Sequence, residues 1–137
     1  MKIISVITAR GGSKGVHRKN ITDVNGNPLI WYSIKASLES NVDETWVSTE
    51  DSEIKDISIK CGAKVIDRPS ELADDIIMPD ASLIHAAESI DFDVMVFIQP
   101  CAALIKPKYK KPIYCQVDLD IVVELALLKS HYKIVFK

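Results

Sequence analysis

Ile3-Ile4-Ser5-Val6-Ile7-Thr8-Ala9-Arg10-Gly11-Gly12-Ser13-Lys14-Gly15-Val16-His17-Arg18-Lys19-Asn20 is the stretch around which the chain is organised. Its first five residues form an apolar run with the character of a buried strand. The strand opens into a loop rich in glycine and positive charge. Glycines let backbone N–H groups crowd around an anion, and Lys and Arg neutralise what those amides cradle. Arg10, Lys14, Arg18 and Lys19 fall within ten positions, in a chain whose formal net charge is −2. That contrast points to a local phosphate pocket rather than a generally basic surface.

Two other glycine loops are excluded by spacing. A Walker loop needs G-x-x-x-x-G-K-[ST], whereas Lys14 here precedes Gly15. A dinucleotide fingerprint needs G-x-G-x-x-G running directly into a helix, whereas this loop is long, charged and followed by Asn20-Ile21-Thr22-Asp23. A solvated surface turn is the plain alternative reading of the same residues.

Working outward, Asn27-Pro28 reads as an N-cap followed by proline at the first helical position. Ile30, Ile34 and Leu38 recur at helical spacing, which predicts an amphipathic helix over 28–40. Thr45 to Thr49 is β-rich and predicts a second strand. Asp51 or Ser52 can cap the next helix, with Ile54, Ile57 and Cys61 on its apolar face and Gly62 at its end. Lys64-Val65-Ile66 predicts a short third strand, and 67–79 an irregular crossing loop. Pro79 and Asp80 can start a helix whose core face would hold Leu83, Ile84, Ala87 and Ile90. Val94-Met95-Val96-Phe97-Ile98 is a continuous apolar run and the best candidate for a central strand.

Strand and helix alternate, which implies a parallel sheet covered on both faces. Ligands on such sheets bind beyond the carboxyl ends of the strands. Arg10, Thr49, Arg68 and Gln99 all fall just past predicted strand ends, so they can converge on one cleft.

At 137 residues the chain is expected to be a single domain with a sizeable core. Residues 1–100 read as its core, which carries the phosphate loop and which the family resemblance given below makes nucleotide-binding. Residues 101–116 read as a connector, since 106–112 hold four lysines and two prolines. Residues 117–137 read as a C-terminal segment. The mild net charge gives no reason to expect nucleic acid or an anionic membrane as partner. Cys61, Cys101 and Cys115 form no C-x-x-C pair and leave an odd count, which argues for reduced thiols rather than a disulfide framework. With no signal-peptide core before Arg10 and no apolar run of spanning length, a cytoplasmic location is expected.

The loop Ala9-Arg10-Gly11-Gly12-Ser13-Lys14-Gly15, followed by Lys19-Asn20, resembles the signature of the N-acylneuraminate cytidylyltransferases, or CMP-sialic acid synthetases. Bacterial relatives in that family activate legionaminic and pseudaminic acids. Pro28-Leu29-Ile30, Val47-Ser48-Thr49-Glu50-Asp51, Arg68-Pro69-Ser70-Glu71-Leu72-Ala73-Asp74-Asp75 and Gln99-Pro100 resemble further family blocks in family order. Cys101-Ala102-Ala103 departs from the Thr-Ser-Pro usual after Gln-Pro. Val117-Asp118-Leu119-Asp120, then Glu124-Leu125-Ala126, resembles the block that leads into the family's last helix. Read without the family, Asp118 and Asp120 would simply cap a helix over about 121–131.

The resemblance implies a three-layer, Rossmann-like α/β nucleotidyltransferase fold with a mostly parallel sheet, shortened between the matched blocks. The missing stretch would include the arm through which family members dimerise, so a family-type homodimer is not expected. It implies transfer of a cytidylyl group from CTP to a sialic-acid-like 2-keto sugar acid, releasing pyrophosphate. Arg10, Lys14 and Lys19, with the amides of Gly11, Gly12 and Ser13, would meet the phosphates, and Arg10 and Lys19 would be catalytic. Asn20 and Arg68 would bind the nucleotide, Arg68 at cytosine O2, and Gln99 the sugar. Asp118 and Asp120 would hold Mg2+. A non-catalytic nucleotide-binding remnant of the same fold is the alternative.

Overall fold

The computed structural model describes residues 1–13, 15–73, 79–101 and 126–128. Strand β1 is Ile3–Thr8, and a short hairpin follows from β2 (Asp23–Val24) and β3 (Asn27–Pro28). Helix α1 (Leu29–Leu38), β4 (Glu44–Thr49), α2 (Ser52–Lys60) and β5 (Lys64–Asp67) come next. Helix α3 (Pro79–Ser89), β6 (Val94–Ile98) and β7 (Ala126–Leu128) follow, and single 3-10 turns lie at Lys19–Ile21 and Ser70–Ala73. The main sheet has the order β5-β4-β1-β6-β7. Its first four strands are parallel, and β7 runs antiparallel to β6.

Side-chain alternation divides the core in two. Ile4 and Val6 of β1 join Ile66, Met95 and Phe97 against Leu83 and Ala86 of α3 and Ile90 just beyond its end. Ile7 and Ala9 join Val47 and Ile98 against Ile30 and Ile34 of α1 and Ile54 of α2. The sheet therefore carries α1 and α2 on one face and α3 on the other, which is the expected three-layer arrangement. Facing α1, Ser5 is buried too, and a chain of hydroxyls satisfies it. Ser37 Oγ bonds Ser5 Oγ and lies 2.8 Å from Thr45 Oγ1. A buried hydroxyl without a partner costs about 1–3 kcal/mol, so this network fixes the seating of α1 on β1 and β4.

Several local expectations are corrected. Helix α1 starts one residue late because Asn27 and Pro28 pair with Val24 and Asp23 in the hairpin. Asn25 and Gly26 at its tip have φ of 53° and 87°, the left-handed conformations a tight two-residue hairpin requires. Pro28 thus occupies the N-cap position without a side-chain cap. Leu38 lies on the exposed side of α1, and Ser37 takes the buried place beside Ile34. On α3 the buried residues are Ser82, Leu83 and Ala86, while Ile84 is exposed. Residues 126–128 form a strand on the edge of β6 rather than part of a helix over 121–131.

Helix α2 follows its sequence signals closely. Asp51 caps it, with Oδ1 accepting from the N–H groups of Glu53 and Ile54, each at 3.0 Å. At the other end Gly62 adopts φ +95°. Ala63 N–H then reaches Ser58 O and Gly62 N–H reaches Ile59 O, each at 3.0 Å. This pair of bonds closes the helix in a Schellman motif.

Candidate nucleotide-binding site

The sheet reverses its winding direction at β1. From β1 the chain moves outward through β4 to β5, then returns to place β6 on the other side. The carboxyl ends of β1 and β6 flank this switch point, where open α/β sheets form a ligand crevice. The residues that leave the four parallel strands here are Arg68 after β5, Glu50 after β4, Arg10 after β1 and Gln99 after β6. They follow the strand order along a single edge.

The loop after β1 is held by its own polar atoms. Ala9 is fully buried and its N–H bonds Ser48 O at 2.9 Å, extending the ladder past Thr8. The carboxamide of Asn20, itself buried, donates to Arg10 O at 2.9 Å. This draws the far end of the loop back onto its start. Gly11 N–H donates to Glu50 Oε1 at 2.7 Å. A Cβ built on Gly11 would stand 2.4 Å from Asp51 Oδ2, so only glycine lets the loop approach β4 this closely.

Arg18 fixes the loop from the opposite end. It adopts φ 50°, and its Nη2 lies 2.9 Å from both Asp51 Oδ1 and Glu53 Oε2. Its hydrogen bond to Asp51 raises the Arg18 pKa above its ordinary value. Burial pushes the Asp51 carboxyl upward, but the Ile54 N–H, Arg18 and the Glu53 N–H outweigh it and leave Asp51 below the usual carboxylate range.

Arg68 is not a surface partner of its neighbour Asp67. Asp67 pairs instead with Lys55 at 2.7 Å. The Arg68 side chain is 4% exposed. Its own N–H bonds Thr49 O at 3.0 Å, Nη1 donates to Ser82 Oγ at 3.0 Å and Nη2 donates to Glu50 Oε2. Its Nε is buried without a hydrogen-bond partner.

The structure therefore gathers Arg10, Gly11, Asn20 and Arg68 into one framework through contacts with Glu50, Asp51 and each other. Gly12 is exposed, Ser13 is half-buried and Lys19 is exposed. Gln99 is half-buried; its carbonyl accepts from Ser33 Oγ at 3.2 Å. Thr49 is buried and acts inside the framework, its hydroxyl accepting Asp51 N–H at 3.1 Å, rather than lining the cleft. Lys14, Asp118 and Asp120 lie outside the described residues. Glu50 and Arg18 are framework residues whose roles the sequence reading did not assign, and Asp51, read there only as a helix cap, also pairs with Arg18. The signal for them was the acidic pair directly after a strand end, facing a basic loop. Among the described residues no cluster of three His, Cys, Asp or Glu side chains could hold a metal ion. Nor, among them, is any helix long and apolar enough to cross a membrane.

A mostly parallel sheet with helices on both faces and a glycine-rich loop after its first strand defines a nucleotidyltransferase fold. The chain belongs to the cytidylyltransferase family, whose sequence model matches residues 4–113. It is 40% identical over 103 residues to the pseudaminic acid cytidylyltransferase of Campylobacter jejuni, covering 74% of this chain and 44% of that one. It is 38% identical over 109 residues to N-acylneuraminate cytidylyltransferase B of Danio rerio, covering 77% and 25%. Among solved structures, a CMP:2-keto-3-deoxy-manno-octonic acid synthetase complexed with CTP superposes with a TM-score of 0.71 at 26% identity. That match covers 79% of this chain and 44% of the other. The chain thus spans half or less of the length of these relatives. Asp118 and Asp120 lie beyond the segment that the family model matches.

Proposed function

We propose that the edge bearing Arg10, Glu50, Arg68 and Gln99 binds CTP and supports cytidylyl transfer to a sialic-acid-like 2-keto sugar acid. The observation that carries this reading is the buried, polar-bonded Arg68 standing on the same sheet edge as the loop after β1. In the reaction the sugar's anomeric hydroxyl attacks the α-phosphorus, the bond to the β-phosphate bridging oxygen breaks, and pyrophosphate leaves. No protein nucleophile is needed. The chain's contribution is to position the reactants and stabilise developing negative charge.

Arg10 and Lys19 are the cations assigned to the phosphates, with Lys14 and the amides of Gly12 and Ser13 beside them. Gly11 plays a different part from the one its sequence suggests, because Glu50 takes its N–H. Asn20 acts through the Arg10 carbonyl, setting the direction in which the loop leaves β1. Arg68 is assigned to the cytosine carbonyl, for which its buried Nε is a spare donor. Gln99 is assigned to the sugar.

Mg2+ would lower the charge of the triphosphate. The described part of the cleft does not fit it, since the carboxylates of Glu50 and Asp51 are taken up by Arg68 and Arg18. Its assignment rests on Asp118 and Asp120 alone. A cytoplasmic location matches substrates of this kind. Pyrophosphate release from CTP, assayed across a panel of 2-keto sugar acids, tests the proposal. Release that depends on one of them supports it, and none with any of them refutes the transfer.

A further inference from the structure

Glu50 touches both halves of this edge. Its Oε1 accepts the Gly11 N–H at 2.7 Å and its Oε2 accepts Arg68 Nη2. Gly11 belongs to the loop after β1, Arg68 to the end of β5, and β4, which carries Glu50, lies between those strands. The Arg68 guanidinium is almost wholly buried, and Glu50 is its ion-pair partner. A buried charge deprived of its partner must move or be resolvated. A change at Glu50 therefore cannot be confined to one side of the bridge.

We propose that Glu50 is a positioning residue that couples the glycine loop to Arg68, so that the loop and the base-reading arginine are set by a single carboxylate. The coupling rests on the nucleotide reading given above. Its chemistry is specific. A glutamate reaches both partners, with one oxygen for each. Glutamine keeps the length but presents a single acceptor oxygen and no charge, so it can serve one partner only. Aspartate keeps the charge but is one methylene shorter.

In the ligand-free protein the Gly11 amide resonance reports the loop side directly. Glu50→Gln removes its charged acceptor and should shift it. Arg68→Lys, which nearly preserves volume and charge but loses the fork geometry, should shift the same resonance although the hydrogen bonds of Arg68 among the described residues go to Thr49, Ser82 and Glu50 and not to the loop. Lys55→Gln, which breaks the neighbouring exposed pair with Asp67, should leave it in place. In calorimetry, Glu50→Gln should weaken CTP binding by about tenfold or more and reduce the preference for CTP over UTP. Combined with Arg68→Lys it should add little further loss, because both changes break the same unit. A Gly11 resonance indifferent to Arg68→Lys overturns the coupling. So does wild-type CTP affinity and preference in Glu50→Gln when Arg68→Lys is impaired. Absence of CTP binding by the unaltered chain counts against the nucleotide reading itself, and the Gly11 resonance then still decides the coupling.

Discussion

Gly11 and Asp51 are packed so closely that a methyl group on Gly11 would meet Asp51 Oδ2 at 2.4 Å and Asp51 Cβ at 3.0 Å. The same Asp51 caps α2 and pairs with Arg18. One short side chain thus sets the start of a helix and the seat of the loop. Gly11→Ala is expected to destabilise the fold by about 1–3 kcal/mol, the usual cost of overpacking. Asp51→Ala should cost about 0.5–2 kcal/mol through the lost cap. In the Asp51→Ala background most of the clash disappears, so Gly11→Ala should then cost less than it does alone. Urea unfolding of the four proteins measures the difference, and strictly additive losses would show that the two residues are not coupled.

Helix α3 provides a sharper test of packing. Leu83 is 2% exposed and Ile84 is 49% exposed. Leu83→Ala should lose about 2–5 kcal/mol, whereas Ile84→Ala should stay within about 0.5 kcal/mol of the unaltered chain. Equal losses in denaturant unfolding would mean that α3 is rotated relative to the sheet.

Legibility of the fold varied with how local its cause was. The Val94–Ile98 run, the Asp51 cap and the Gly62 stop are each written in a few adjacent residues, and each appears where those residues place it. The Asn25-Gly26 hairpin was equally local, but the Asn27-Pro28 pair offered a competing helix start. The ladder partners of Asn27 and Pro28 decided between them. Ile84 fits α3's apolar stripe by spacing alone. Its exposure is decided by how the helix sits on the sheet, which periodicity does not specify. At the sheet edge, the positions of Arg10 and Arg68 were legible because both follow strand ends. Glu50 was not, because its role arises from a parallel register that brings β1, β4 and β5 side by side.

The acid side of the stability profile should carry a signature from Glu44. Its Oε1 accepts from Lys64 at 2.7 Å and its Oε2 from the Trp46 indole N–H at 2.8 Å, with Lys2 nearby at 3.3 Å. Lys64 first and then Trp46 hold the carboxyl down to about 2, against an ordinary value of 4.5. Above pH 4.5 the carboxylate is charged whether the chain is folded or not, and its contribution is fully present. Between there and about pH 2 the unfolded chain takes up a proton that the folded one refuses, so stability falls as the pH falls. Glu44→Gln should flatten this part of the profile. Unfolding midpoints of the two proteins through that window measure it, and an unchanged slope would mean that the Lys64 and Trp46 contacts do not hold in solution.

Calorimetric titration with CTP, of the unaltered chain and of Lys19→Ala and Arg10→Ala, tests the central claim most directly. Charge-assisted contacts to phosphate are worth about 1.5–3 kcal/mol each, so each substitution should weaken binding by about tenfold or more while leaving the unfolding midpoint nearly unchanged. A chain that takes up no CTP, or one whose affinity is the same in both variants as in the unaltered protein, would contradict the placement of the triphosphate at the loop after β1.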